Sequence, residues 1–214
     1  RTNGLIAISL AEGDVLRWVR LARAEDSILI GSQRGMTIHF KTDHNQLRPL
    51  GRPTKGVRAM SLREGDQLIS MDILPSQVVA ELEESAADDE GDEGDDAIAE
   101  TNQGPWVLVV SASGLGKRVP VTNFRLQNRA GMGLVSMKFR KKDDELVALR
   151  IAGPDDELMI VSNRGIIMRQ AIDAISVQSR MATGVQLQRL DSDDAIAAVA
   201  LVPHLDESEN EMPS

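Results

Sequence analysis

Ser27–Phe40 reads SILIGSQRGMTIHF: an apolar strand, a tight Ser-x-x-Gly turn, then a second strand. The pattern returns at Val107–Val119 (VLVVSASGLGKRV) and at Leu158–Gln170 (LMIVSNRGIIMRQ). The turn serines are Ser32, Ser111 and Ser162, and the turn glycines Gly35, Gly114 and Gly165. A hairpin this tight needs a residue that accepts positive φ, which glycine does without steric cost. Working outward, each hairpin is followed by a second glycine-led stretch: Gly56–Leu62, Gly133–Phe139 and Gly184–Leu190. An acidic turn and another apolar run complete the unit, as in Glu64-Gly-Asp66 before Gln67–Leu74. The second half alone stands at the N-terminus, as Gly4–Leu10, Glu12-Gly-Asp14 and Val15–Leu21. Self-similarity with a period of about 50 residues is the mark of a repeat architecture.

Short strands with regular turns predict an all-β chain, a propeller-like array of about three four-stranded blades cut from a larger ring. The first strands of the hairpins are apolar throughout, as strands covered on both faces are. The expected divisions are 1–21 (the end of a preceding blade), 22–74, an acidic insertion at 75–105, 106–151, 152–203, and an acidic tail at 204–214. Ser76–Glu84 has the composition of a short helical turn. Asp88–Asp96, DDEGDEGDD, has too few apolar residues to offset the entropy of ordering and is expected to be disordered. It reads first as a solvated extension, and second as an acidic mimic of nucleic acid screening a basic surface.

The formal net charge of −9 conceals this division. Residues 81–100 carry eleven acidic side chains and no basic ones, and 205–214 carry four more. Setting those fifteen aside leaves 18 acidic against 24 basic residues, so the repeats are net basic. Cysteine is absent, which excludes disulfides, thiolate metal sites and thiol catalysis. With no signal-like N-terminus and no long apolar run, a soluble, cytoplasmic chain is expected. A first residue other than methionine suggests a piece of a longer protein.

Basic residues hold a fixed phase in the repeats. Four positions after the hairpin glycine stand His39, Arg118 and Arg169; four before the second glycine stand Arg52, Arg129 and Arg180. Lys41, Lys55, Arg58, Lys117, Arg125 and Lys138 lie close by, and Arg34 and Arg164 occupy equivalent turn sites. Cations recurring once per β-unit predict a positive track suited to a phosphate backbone, where counterion release needs no base reading. Gly114-x-Gly116-Lys117-Arg118 lacks the spacing and the hydroxyl residue of a nucleotide-binding P-loop and reads as a strand turn. Asp191–Asp194 lacks the glycine and terminal glutamate of a calcium loop, and the three histidines show no zinc spacing. No catalytic constellation and no metal ligand set emerges.

The Ser-x-x-Gly hairpin, the basic second strand, Arg-x-x-x-Gly-Val/Leu and the Glu-Gly-Asp turn together resemble the C-terminal domain of the DNA gyrase A protein. LVVSASGLGKRV, GRPTKGVRAMSLREGDQLIS and SRMATGVQLQRL look like its later blades. The resemblance implies a β-pinwheel, with strands exchanged between neighbouring blades, whose basic rim wraps duplex DNA. It implies a place in an A2B2 complex with gyrase B, associated with the nucleoid, supporting ATP-dependent negative supercoiling. The ATP and magnesium belong to that parent complex, and no cofactor to this segment. Type II topoisomerases cleave DNA with a tyrosine; this chain has none, so no cleavage is expected of it. The resemblance places Arg52, Arg118, Arg129, Arg169 and Arg180 at rim positions, with His39 and Ser113 as departures. The glycine-rich basic box of the family's first blade is absent, which keeps the related topoisomerase IV A protein as an alternative. A protein-binding propeller of the chromosome-condensation-regulator type would need an exposed aromatic patch, and aromatics make up only 2% of the chain.

Overall fold

The computed structural model describes residues 4–80 and 104–202. The acidic run at Asp88–Asp96 and the tail from His204 lie outside the described residues, and of the helical turn expected at Ser76–Glu84 residues 76–80 are described, as helix. Eleven strands are described: β1 (Ser27–Ser32), β2 (Met36–Lys41), β3 (Leu68–Leu74), β4 (Trp106–Ser111), β5 (Leu115–Pro120), β6 (Leu134–Val135), β7 (Leu146–Ala152), β8 (Glu157–Ser162), β9 (Ile167–Ala171), β10 (Val185–Gln186) and β11 (Ile196–Val202). They form three antiparallel sheets ordered β3-β1-β2-β6, β10-β5-β4-β7 and β11-β8-β9. Two of the expected sheets are therefore four-stranded, and the third has three strands among the described residues.

The sheets do not respect the sequence repeats. Residues 124–136 follow β5, yet β6 pairs with β2, Met36 opposite Val135 and Thr37 opposite Leu134. Likewise β10, from the third repeat, pairs with β5 of the second, Val185 opposite Gly116. Accordingly the chain divides into two compact units, one holding the described residues 4–80 with Phe124–Ser136, the other 104–123 with 137–202.

Glycine makes the exchange possible. Gly133 has φ of 79°, and a β-carbon there would sit 2.5 Å from the Thr37 carbonyl oxygen. Gly184, at φ 82°, lies as tightly on Gly116, with its oxygen at 2.7 Å from such a carbon. Each incoming arm thus passes directly over its neighbour's hairpin. The arms pair for only two residues, shorter than the strands expected at Gly133–Phe139 and Gly184–Leu190. Beyond that they turn to one another: Ser61 N–H donates to the Gly131 carbonyl (2.8 Å), Ser9 N–H to Thr54 (3.0 Å) and Lys138 N–H to Ala182 (3.4 Å). The donor is always five residues after its own glycine, and the acceptor two before the next.

In the first unit the core is Ile28, Ile30, Met36, Ile38, Phe40 and Met60. In the second, Trp106, Leu108 and Val110 of β4 pack with Leu158, Ile160, Ile172, Ile175 and Ile196. Strands β1 and β4 are buried along their whole length, as their unbroken apolar sequence predicts. Strand β8 is not: Leu158 and Ile160 are buried, while Met159 and Val161 on its other face are half-exposed. All-apolar composition at β8 therefore overstated its coverage.

Gly133→Ala should lower stability by more than about 2 kcal/mol, because left-handed strain of about 1–2 kcal/mol adds to a clash with backbone that cannot yield. Gly165→Ala, at φ 81° with no atom within 4 Å of the added carbon, should cost the strain alone. Urea unfolding of the two variants, followed by far-UV circular dichroism, measures the difference.

Candidate nucleic-acid interface

Each hairpin turn is held by the aspartate of its own acidic turn. Asp66 accepts from Ser32 Oγ (2.7 Å) and from the Arg34 amide (3.0 Å). Asp144 accepts from Ser113 Oγ (2.6 Å) and the Ser113 amide (3.0 Å). Asp194 accepts from the Arg164 amide (3.2 Å), and hydrogen bonding led by Ser162 holds its carboxyl below the usual range. The serine at 113 therefore completes the same clamp that the other two repeats make with an arginine at that position. The turn arginines differ in what they meet: Arg34 is exposed, whereas Arg164 is paired with Asp191 (3.1 Å) and Asp193.

The position four residues after the hairpin glycine faces inward in the first two repeats. His39 is 5% exposed. Its Nδ1 lies 2.6 Å from the Phe124 carbonyl and its Nε2 2.7 Å from Ser27 Oγ. A carbonyl only accepts, so Nδ1 carries the hydrogen and Nε2 of the neutral ring accepts from the serine. Arg118, 7% exposed, does the equivalent work: Nε donates to the Ile175 carbonyl (2.6 Å) and a terminal nitrogen to the Asp173 backbone carbonyl (2.9 Å). Phe124 and Ile175 stand at the same place in successive repeats, ten residues after a hairpin glycine. Arg118 also stacks over the Trp106 ring at 4.3 Å. Arg169, in the third repeat, is exposed and paired with Glu157.

The other phase-locked position is similarly divided. Arg52 is exposed, but Arg129 donates from Nε to the Gln46 carbonyl (2.8 Å) and from a terminal nitrogen to Arg58 (3.1 Å). Arg180 is 4% exposed, and Lys117 is fully buried. The expectation of outward-facing cations at His39, Lys117, Arg118 and Arg180 is thus corrected. An arm crossing a hairpin brings backbone carbonyls away from water, and a buried carbonyl without a donor costs about 1–3 kcal/mol. Long cationic side chains with several N–H groups meet that demand.

Of the predicted residues, Arg34, Arg52, Lys55, Arg125 and Lys138 are exposed outside the ion pairs described above, and Lys41 is half-exposed. Lys41 and Arg125 line one open groove in the first unit, with Asp43, Gln46, Gln127 and Asn128. The motif reading named Arg52, Lys55 and Arg58 but passed over Arg48 and Arg63 beside them. Residues 44–63, between β2 and β3, contain no acidic residue and expose Arg48, Arg52, Lys55, Arg58 and Arg63. In the second unit Arg140, Lys141 and Lys142 follow Lys138, all exposed. The signal was the acid-free run itself, which a search for repeat phase ignores. Among the described residues no cluster of His, Asp or Glu has metal-binding geometry, and no helix is long and apolar enough to cross a membrane.

Strand-exchanged β-units joined by cationic inter-strand segments define a propeller-type repeat protein. The family described as DNA gyrase C-terminal domain, beta-propeller, matches residues 26–75, 105–152 and 156–203, and the chain belongs to that family. It is 64% identical over 215 residues to the DNA gyrase A protein of Synechocystis sp., covering 98% of this chain and 25% of that protein. It is 37% identical to the chloroplastic/mitochondrial DNA gyrase A protein of Arabidopsis thaliana, covering 99% of this chain and 22% of that one. The chain thus spans about a quarter of the length of these relatives. A solved gyrase A C-terminal domain superposes with a TM-score of 0.70 at 24% identity, over 92% of this chain and 58% of that one. A topoisomerase IV C-terminal domain gives 0.73 at 18%, over 92% and 53%. Those two share the fold; the sequence relatives favour the gyrase reading over topoisomerase IV.

Burial pushes the His39 imidazole below its ordinary value of 6.5; nearby Lys41 adds to this, and the Phe124 carbonyl opposes it. The unfolded chain then binds this proton more readily than the folded one, so stability present above pH 6.5 is lost as pH falls below it. His39→Ala should lower stability at pH 7 by about 1–3 kcal/mol through the orphaned Phe124 carbonyl. It should also flatten the decline between pH 7 and 5, measured by urea unfolding across that range.

Proposed function

We propose that this chain binds duplex DNA and bends it along its exposed cations, as the DNA-wrapping part of a gyrase A protein. The observation that carries the reading is the acid-free run at 44–63 with its five exposed cations, in a family of gyrase domains. Exposed Arg and Lys on irregular segments suit phosphate oxygens, and their long stems let them follow a curved backbone. Such contacts read no base edges, so sequence preference would come from how cheaply the DNA bends. In the parent A2B2 complex with gyrase B, a bent segment would be presented for passage in one sense. That role supports ATP-driven negative supercoiling while this segment performs no bond chemistry. The compartment is the one that holds the DNA, the nucleoid region of the cytoplasm.

Neutralising about six phosphates gives a slope of log K against log[salt] near −5. Arg52→Glu/Lys55→Glu/Arg58→Glu should flatten that slope by about 2–3 and weaken binding at ~0.1 M salt more than tenfold, without loss of thermal stability. Fluorescence-anisotropy titrations of labelled duplex at several salt concentrations measure both. A wild-type affinity that does not vary with salt would sink the proposal.

A further inference from the structure

Lys117 lies in β5, in the row of residues expected to meet phosphate, and it is 0% exposed. Its Nζ donates to the carbonyls of Ser179 (2.6 Å), Arg180 (2.6 Å) and Ala182 (2.8 Å). An ammonium has three N–H groups, and here each is matched to one carbonyl of a single short loop. The same site in the first unit is filled by Ile38, also fully buried, whose Cδ1 lies beneath Gly131 of the corresponding loop. A core position that accepts isoleucine has been given to a lysine that gathers a loop by its backbone.

That loop is tied in turn to exposed cations. Lys138 N–H donates to the Ala182 carbonyl (3.4 Å), and Arg140 Nε to Thr183 Oγ1 (3.3 Å). Ala182 thus accepts from Lys117 and from the Lys138 backbone together. We infer that Lys117 is a positioning residue: it shapes the 179–183 loop and, through it, fixes where Lys138 and Arg140 stand for phosphate contact. The inference rests on the DNA-binding reading given above. Lys117 itself touches no DNA; without its ammonium, the Ser179 and Arg180 carbonyls lose this donor, Ala182 keeps only the Lys138 N–H, and the loop loses its shape.

Lys117→Met keeps the stem and removes the donors. Amides of residues 179–183 should exchange faster, affinity for duplex at ~0.1 M salt should fall about tenfold, and the salt slope should flatten by about 1–2, as for two lost phosphate contacts. Because the chain has no cysteine, Lys117→Cys can be alkylated with 2-bromoethylamine while unfolded, then refolded. The restored amine should recover both slope and exchange protection. Thr183→Val tests the same link on the loop surface should Lys117→Met fail to fold; by releasing Arg140 it should flatten the slope by up to one. An unchanged slope in Lys117→Met or Thr183→Val, beside a steep wild-type slope, overturns the inference and leaves Lys117 a packing residue. A flattened slope with unchanged exchange at 179–183 overturns it as well, since Lys117 would then be a direct contact. A wild-type chain without salt-dependent binding would instead remove the DNA-binding reading, and this inference with it.

Discussion

Everything in this structure depends on one close approach: the arm of one repeat crossing the hairpin of the repeat before it, with no room for a side chain where they meet. At Gly133 and Gly184 a β-carbon would fall inside the contact distance of a backbone oxygen, and both residues hold a positive φ. Two-residue strands such as β6 and β10 have little stability of their own. They persist because the crossing delivers them to a ready edge, and because successive arms bond to one another beyond it. The consequence for the core is that each compact unit is finished by residues from more than one repeat.

The crossing also explains the buried basic residues His39 and Arg118 better than a ligand does. Where the arms pass, carbonyls of residues 124, 175, 179, 180 and 182 turn toward the interior and accept from His39, Arg118 and Lys117. A buried carbonyl left without a donor costs about 1–3 kcal/mol, whereas an exposed cation contributes little to folding. Internal demand therefore governs the phase of these residues. That histidine and arginine serve the same carbonyl in successive repeats shows the requirement is for a donor at that place, more than for a charge. The histidine version carries a pH sensitivity that the arginine version lacks.

Most of the exposed cations sit elsewhere, on the irregular segments between strands. They are dense in the first repeat and follow β6 in the second. The third repeat is different in kind: its turn arginine and its Arg169 are engaged by Asp191, Asp193 and Glu157. The three copies share a scaffold but not a surface, as repeats do when packing fixes one set of positions and partner recognition another.

The sequence alone determined the all-β class, the hairpins, their turn glycines and the period, because alternation, apolar runs and positive-φ demands are local properties of the chain. The repeat pattern also carried the family resemblance. It could not tell which cations face water. A lysine or arginine in a half-apolar strand reads the same whether its head reaches solvent or three carbonyls of a loop more than sixty residues away. Only the tertiary structure decided that Lys117, Arg118 and His39 hold the crossing arms while Arg52, Lys55 and Arg125 look outward, since the carbonyls that claim them arrive from another repeat. The role of Asp66, Asp144 and Asp194 was hidden for the same reason: an acidic turn looks solvated until the chain returns it to the hairpin that it clamps.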